Sequence, residues 1–527
     1  MYWTNNTMTR WESVFGMLAE WQWEVLVTIT VLVVSSLLYL DRPAVYPGIP
    51  LIGAGKGWFA YRHALKKYRL NGRKMVEEHA KTKKPFQVIT DTITKIFLPA
   101  EYVNEIKGIK ELSFGRGIIA ELLGEYPGFE AVSALGDESN IIQTVSRLNI
   151  TTSLKHLTDE ISDEASAALQ EQLGDNTEDW QEASVKPTVR NLNARLSARV
   201  FVGPELCRNK AWLEVSTSYA ARSIIAVSKL QTWPRVLRWP VSFLLPECRV
   251  LQRMVADARR ILAPIVANRN QPVDAKQRGG DTILWLQEAL SKANICHKYS
   301  VADFQLSLSL AAIYTTTELL TNALFDIVSI GPDLIDELRS EIIQVFNGEG
   351  GIVSSNGGEM FTKERLYKLR LMDSTLKETQ RLRTSRLGGM PRLATAPVTL
   401  QSGLTIPAGA FTHVLLTVHT DPSIYPSPET YDPRRFLKLR SQPGQEKNWQ
   451  LVTTSPYHLA FGYGEHACPG RFLAAAQVKI ALVRLLMEYD WRMDGEVPER
   501  LELGGGLSSS NPTAKVSFRK RKAEVVF

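Results

Sequence analysis

The chain has 527 residues, 44% hydrophobic and 22% charged, with a formal net charge of +7. That composition suits a globular protein with a sizeable core and excludes a disordered or fibrous one. The positive excess is too dilute to argue for nucleic acid; it suits an acidic partner or an anionic membrane surface.

Val25 to Leu40 is a run of 16 residues without a charge. A spanning helix usually needs ~20 apolar residues. Trp21 and Trp23 extend the run as interfacial anchors, and a thin reticulum bilayer narrows the difference. Residues 25–40 are therefore expected to form a transmembrane anchor. A cleaved signal peptide fits less well, because Arg10 stands against Glu12, Glu20 and Glu24 and no small-x-small site follows. A buried core helix is the other alternative. Residues 41–75 carry eight Lys or Arg against Asp41 alone, and this asymmetry places residues 1–24 in the lumen and the remainder in the cytosol. Asn5, in Asn5-Asn6-Thr7, is then an accessible glycosylation sequon.

Residues 41–57 read as a stiff hinge, since the prolines of Arg42-Pro-Ala-Val-Tyr-Pro-Gly-Ile-Pro50 cannot continue a helix. Gly53-Ala-Gly-Lys-Gly57 lacks the spacing of a phosphate loop. Residues 58–527 are expected to form one domain. Trp58 to Asn347 is mostly helical in pattern, with a strand or hairpin at Pro85 to Leu98 and a surface loop at Asn268 to Asp281. Tyr219 to Pro246 mixes Trp233, Leu237, Trp239 and Phe243 with Lys229, Arg235 and Arg238. That mixture suits either a region dipping into a membrane interface or an amphipathic helix pair on the core.

Asp303 to Ile330 is the longest apolar helical pattern, ended by Gly331-Pro332. Its middle reads Ala311-Ala-Ile-Tyr-Thr-Thr-Thr317. Ala311 and Ala312 leave a groove where a ligand can approach the backbone. A single threonine in a helix usually bonds the preceding turn, but three in an apolar helix call for more. Asn347 to Glu359 is a Gly, Ser and Asn-rich loop. Leu371 to Leu382 reads as a helix with Glu378 and Arg381 on one face. Pro397 to Thr420 alternates as a small sheet with turns. Arg471 to Tyr489 is an amphipathic helix, Gly504 to Pro512 a terminal turn, and Arg519 to Lys522 a solvated basic tail.

The four cysteines, Cys207, Cys248, Cys296 and Cys468, include no CxxC pair, so neither a zinc site nor a disulfide framework is expected. Cys468 lies in Phe461-Gly-Tyr-Gly-Glu-His-Ala-Cys-Pro-Gly470, just before a helix. Gly464 and Gly470 admit backbone angles and close approaches that other residues resist. The helix N-terminus turns its partial positive charge towards the sulfur, which favours thiolate. Alone, such a cysteine reads as a small buried hydrophobe; in this loop it can be the axial ligand to the metal of a flat cofactor.

Phe461, Gly464, His466, Cys468 and Gly470 spell FxxGx(R/H)xCxG, which resembles the haem-thiolate signature of the cytochrome P-450 monooxygenases. Other motifs follow in the family's order. The alanine and threonine run resembles its (A/G)GxxT(T/S) oxygen site. Thr315 is by that match the dioxygen-activating threonine, with Thr316 beside it. Ala312 departs from the usual glycine, and Tyr314 from the usual Asp or Glu. Glu378 and Arg381 match ExxR, and Tyr431-Asp-Pro-Arg-Arg-Phe436 matches (F/Y)xPxRF. The resemblance implies that Glu378, Arg381 and Arg435 form a buried charge triad. It also implies that Arg392 and His466 meet the haem propionates, with Arg147 standing in for an earlier Trp-x-x-x-Arg contact. The implied fold is mainly α, the P-450 fold with a small β region behind one N-terminal transmembrane helix.

The implied cofactor is haem b, iron protoporphyrin IX. The implied reaction inserts one oxygen atom into an apolar substrate and releases the other as water. Electrons would come from NADPH through NADPH–cytochrome P-450 reductase, with cytochrome b5 as an optional second donor. The setting is the endoplasmic reticulum membrane. Among relatives, the chain is most similar to fungal members akin to ent-kaurene oxidases, which suggests a terpenoid, meroterpenoid or related secondary metabolite. The family's specificity positions would fall at Ser113 to Pro127, Tyr219 to Trp233, Phe304 to Ala312, Thr384 to Pro391 and Leu507 to Pro512. Arg434, Lys438, Arg440, Arg471, Lys479 and Arg484 are expected to form a basic surface for an acidic reductase. Two rival readings are a haem-thiolate isomerase or dehydratase that needs no dioxygen, and a non-catalytic membrane haem or sterol binder.

Overall fold

A helix that is apolar on every side must be covered on every side. Val301–Ile330, 30 residues long, is that helix, and the rest of the chain wraps it. It starts where Ser300 Oγ accepts the Asp303 N–H while the Asp303 carboxylate accepts the Ser300 N–H at 2.8 Å. It ends at Gly331, whose φ of +113° a side chain resists, followed by Pro332. Around it pack Glu130–Leu135, Val185–Phe201, Lys210–Leu230, Pro246–Arg269, Arg370–Leu382 and Arg471–Glu488. The computed structural model describes residues 23–32, 35–36, 42–54, 60–269, 281–347, 360–493, 495–525 and 527.

The β region is small. The expected hairpin is Phe86–Ile89 with Thr94–Leu98, at one edge of a five-stranded sheet. The sheet continues through Phe411–Leu415, which runs parallel to Thr94–Leu98, then Gly388–Ala394 and Leu112–Ser113. Val398–Thr399 and Thr405–Ile406 make a separate two-stranded ribbon. The terminal turn is the hairpin Leu501–Gly504 and Leu507–Ser509, with positive φ at Gly504, Gly505 and Gly506.

Several expectations need correction. The basic tail is no solvated appendage: Lys515–Lys520 is the central strand between Gln181–Ser184 and Tyr489–Arg492. Arg519 pairs with Asp490 and Lys520 with Glu488, so these charges serve the sheet. The presumed docking surface also dissolves. Arg440, Lys479 and Arg484 are buried, the first two on Asp373 and the third on Glu488. Arg434 and Lys438 are exposed but already paired with Glu337 and Asp432. Closeness in sequence therefore did not make these cations one exposed surface, since three are buried and two are already paired.

The proline-rich segment is docked by its second half: Gln87 Nε2 donates to the Tyr46 and Ile49 carbonyls at 2.7 and 2.6 Å, and Tyr46 N–H returns a bond to Gln87 Oε1. Residues 23–32 are helical and exposed, and among the described residues no helix is long and apolar enough to cross a membrane. Asn5, Trp21, residues 33–34 and 37–41 of the expected anchor and its junction, and most of both polar loops (270–280 and 348–359) lie outside the described residues. The Tyr219 to Pro246 stretch forms the end of Lys210–Leu230 and the short helix Arg235–Leu244. Tyr219 and Arg238 face inward, while Trp233, Val236, Leu237, Trp239, Phe243 and Leu244 are exposed.

Candidate active site

The cysteine loop is held by its own backbone. Cys468 N–H donates to the Phe461 carbonyl at 2.7 Å, and Ala467 N–H donates to Gly464 at 3.1 Å. Gly464 has a φ of +78°, and a Cβ there would stand 2.7 Å from Lys107 Cβ and 2.9 Å from its carbonyl oxygen, so both backbone angle and space demand glycine. Gly470 differs from expectation: its φ is −88°, and nothing lies within 4 Å of where a Cβ would stand. Helix Arg471–Glu488 begins immediately after it, and the amides of Gly470 and Arg471 are directed at the Cys468 thiol.

Cys468 is half-buried as a residue, with protein packed closely around its thiol. Burial raises its pKa; the two amides and the guanidiniums of Arg471 and Arg147 oppose that rise. A cation bound at the sulfur would favour the thiolate outright.

Behind the thiol lies a cluster of cations with too few anions. Arg392 is 1% exposed, and its Nε and Nη2 have no hydrogen-bond partner among the described residues. Nη1 reaches the Pro391 carbonyl at 2.7 Å, and the guanidinium lies 5.9 Å from the Phe114 ring centroid. Burial lowers its pKa to about 10, with only the Glu465 charge opposing. His466 stacks on the same Phe114 at 6.1 Å; burial and Arg392 lower its pKa. Arg147, on the π-helical turn Val145–Ile150, donates to the Glu465 carbonyl at 2.5 Å. Arg471 Nη1 donates to the Cys468 carbonyl at 2.9 Å, while its Nε is unpartnered.

A buried guanidinium with two bare nitrogens costs free energy until an anion meets it. Carboxylates of a flat cofactor held by Cys468 would meet those donors, so the residues present suit haem. Sequence reasoning missed Phe114 as the surface that aligns Arg392 and His466. It also assigned Arg471 to the exterior. Phe114 follows the helix N-cap Ser113, but no sequence signal tied it to a loop some 350 residues on.

The other candidate residues lie on the central helix. Most of Val301–Ile330 is buried, but Ala311, Tyr314 and Thr315 are open, at helical spacing. Thr315 Oγ1 donates to the Ala311 and Ala312 carbonyls at 2.9 and 3.3 Å, so its hydroxyl is parked on its own helix. Thr316 turns the other way: it is 3% exposed and bonds Ala312 at 2.8 Å. The two threonines thus occupy different environments, with Thr315 alone on the open face. Ala312 and Phe461 are half-buried against the same hydrophobic core.

Beneath the loop, Glu378 and Arg381 are fully buried. Arg381 forks onto Glu378 with two bonds of 2.8 Å, and Arg435 Nε adds a third at 3.0 Å. The arginines also hold backbone carbonyls of His419 and Pro428, and of Pro426, Ser427 and Thr430. The triad therefore stitches the helix Arg370–Leu382 to the meander preceding the cysteine loop.

Comparison with known proteins agrees with this geometry. The Cytochrome P450 family model matches residues 139–518. The chain is 38% identical over 452 residues to cytochrome P450 monooxygenase adrA of Penicillium rubens, covering 84% of this chain and 85% of that one. It is 36% identical over 512 residues to cytochrome P450 monooxygenase pyr3 of Aspergillus fumigatus, covering 95% of each. The retinoic acid-bound cyanobacterial CYP120A1 has the same fold, with a TM-score of 0.64 at 18% identity, covering 91% of this chain and all of that one. A cysteine cradled by helix-terminal amides, a buried arginine lacking its anion and a threonine-bearing opening in the central helix thus stand in a chain that belongs to the cytochrome P450 family, as an oxidoreductase of the monooxygenase type.

Proposed function

We propose that this chain oxidises an apolar secondary metabolite of the terpenoid or meroterpenoid class. The electrons would come from NADPH through NADPH–cytochrome P-450 reductase, with cytochrome b5 as an optional second donor. The observations that support the chemistry are Cys468 with the amides of Gly470 and Arg471 directed at it, the unpartnered Arg392 nearby, and the open Ala311, Tyr314 and Thr315 in an otherwise buried central helix. Bound haem would supply dioxygen activation, driven by the electron donation of the thiolate. Cys468 would ligate the iron, Arg392, His466 and Arg147 would hold the propionates, and Ala311 and Ala312 would let the macrocycle approach the helix. Thr315 would release its bond to Ala311 and hold a water through which protons reach the reacting oxygen.

The expected anchor at residues 25–40 and the exposed apolar side chains from Trp233 to Leu244 would hold the cytosolic domain against the reticulum membrane. Support for the anchor is the charge asymmetry around it.

The test is product analysis from microsomes carrying the full chain and a reductase, fed a terpenoid panel with and without NADPH. NADPH- and dioxygen-dependent products one oxygen heavier are expected, together with their loss in Cys468→Ala. Product formation without NADPH would transfer the assignment to an isomerase or dehydratase.

A further inference from the structure

Glu318 stands one turn after the open Tyr314 on the same face of the central helix, and is 5% exposed. Its carboxylate accepts Ser509 Oγ at 2.9 Å, Ser510 N–H at 2.9 Å and Ser510 Oγ at 3.2 Å. Lys186 Nζ pairs with Glu318, donates to Ser509 Oγ, and lies 6.0 Å from the Tyr314 ring centroid. Arg500 stands 3.9 Å from Glu318 and donates to Asn322 Oδ1 at 2.8 Å, Ser508 Oγ at 3.2 Å and Ser385 Oγ at 3.3 Å. The base of the terminal hairpin is thus tied to the central helix beside its open stretch. The tip is tied elsewhere, to the helix Ala60–Ala80: Tyr68 Oη donates to the Gly505 carbonyl at 2.6 Å, and Arg73 to the Gly506 carbonyl at 3.2 Å.

A two-stranded ribbon this short has little stability of its own, so these attachments set where the hairpin lies. Side chains two apart in a strand share a face. Ser509 reaches Glu318 from its face of the strand Leu507–Ser509, so Leu507 is on the face turned towards the central helix. Leu507 is nevertheless 40% exposed, while Ser508 and Ser509 beside it are buried. An apolar side chain therefore stands on the inward face with little to cover it. Neutral groups could seat a hairpin at less desolvation cost than a buried carboxylate carries; donors converging on one carboxylate add a defined geometry. We propose that Leu507 is a specificity-determining residue that limits the width of a ligand lying against the open stretch of the central helix. Glu318 is its positioning residue, acting through Ser509 and Ser510. This rests on the reading that haem held by Cys468 faces that stretch.

Azoles that ligate haem iron and shift its absorbance measure the room at that stretch without substrate or turnover. The probes are imidazole, which is small, and clotrimazole, which carries a bulky triaryl group. Leu507→Trp in the haem-loaded full chain should weaken clotrimazole binding roughly tenfold, the scale of a modest overpacking penalty, and leave imidazole binding unchanged. Made in a Glu318→Gln background, where the base of the hairpin is loosened, the same change should lose most of its effect on clotrimazole. A role for Glu318 in stability alone would leave the loss equal in both backgrounds. Hydrogen exchange at the Ser508 and Ser510 amides should also rise in Glu318→Gln. If Glu318→Gln does not retain haem, Ser509→Ala combined with Ser510→Ala removes the hairpin's hydroxyl donors and serves as the loosened background. Equal losses for the two azoles, no loss in Leu507→Trp, an undiminished loss in the loosened background, or unchanged exchange overturns the proposal. A wild-type chain whose absorbance responds to neither azole would instead overturn the haem reading itself.

Discussion

Glu378→Gln is the severest test of how the site is supported. The substitution keeps the shape of the side chain and removes one charge. In the structure that charge faces two guanidiniums, Arg381 and Arg435, with side-chain exposures of 0% and 8%. It receives two bonds from Arg381 and one from Arg435, and Glu378 Oε1 also accepts the Asp432 N–H at 3.1 Å. After substitution two buried cations remain with carbonyl oxygens alone. Removing one partner of a buried ion pair costs about 3–5 kcal/mol, because the remaining charge is stranded. Against a net stability of roughly 5–15 kcal/mol, that is a large share. With a urea dependence of about 3 kcal/mol/M, the unfolding midpoint should fall by at least ~1 M. The assay is urea unfolding followed by tryptophan fluorescence, alongside the haem absorbance per mole of soluble chain. A loss below about 1 kcal/mol, the scale of an exposed ion pair, would refute the view that this triad is a structural requirement.

Three further outcomes are expected. Gly464→Ala should cost about 1–3 kcal/mol and lower haem retention, since both its φ and the Lys107 backbone exclude a side chain; unchanged haem retention in a gel-filtered sample would contradict this. Arg392→Met should move two quantities in opposite directions: the haem-free chain gains about 1–3 kcal/mol in urea by losing unpartnered buried donors, while haem dissociates faster. Both moving together would argue against a carboxylate-binding role. The third concerns acid. Burial pushes the His419 imidazole down to about 3, and its Nε2 accepts the Leu459 N–H at 2.9 Å, which only the neutral ring can do. An unfolded histidine takes up its proton near pH ~6.5, so this contribution is complete above that value and is lost as pH falls from there towards 3. The urea midpoint should therefore drop between pH 7.5 and 5, and drop less in His419→Gln, which keeps an acceptor; an equal drop in both would discount His419.

The sequence by itself determined the site's vocabulary. The spacing of Phe461, Gly464, His466, Cys468 and Gly470 was legible because a ligand loop is local: its bonds close within a few residues, as Cys468 to Phe461 does. The central helix was legible too, since an unbroken apolar run with a Gly-Pro stop needs no tertiary information, while its Ser300 cap came from the structure. The pairing of Glu378 with Arg381 followed from helical spacing, and Arg435 was joined to them only by resemblance. What tertiary structure alone decided is which charges meet. Arg440, Lys479 and Arg484 looked like an exposed basic surface, yet each turns inward onto a carboxylate. The last basic run looked like a tail, yet Lys515–Lys520 completes a sheet begun at Gln181–Ser184, some 330 residues earlier. Phe114 beneath Arg392, and Ser509 between Lys186 and Glu318, are likewise contacts between segments far apart in the chain. Periodicity assigns a residue to a face of its own element. Only packing determines what that face touches, and so whether a charge is solvated, paired or left waiting for a ligand.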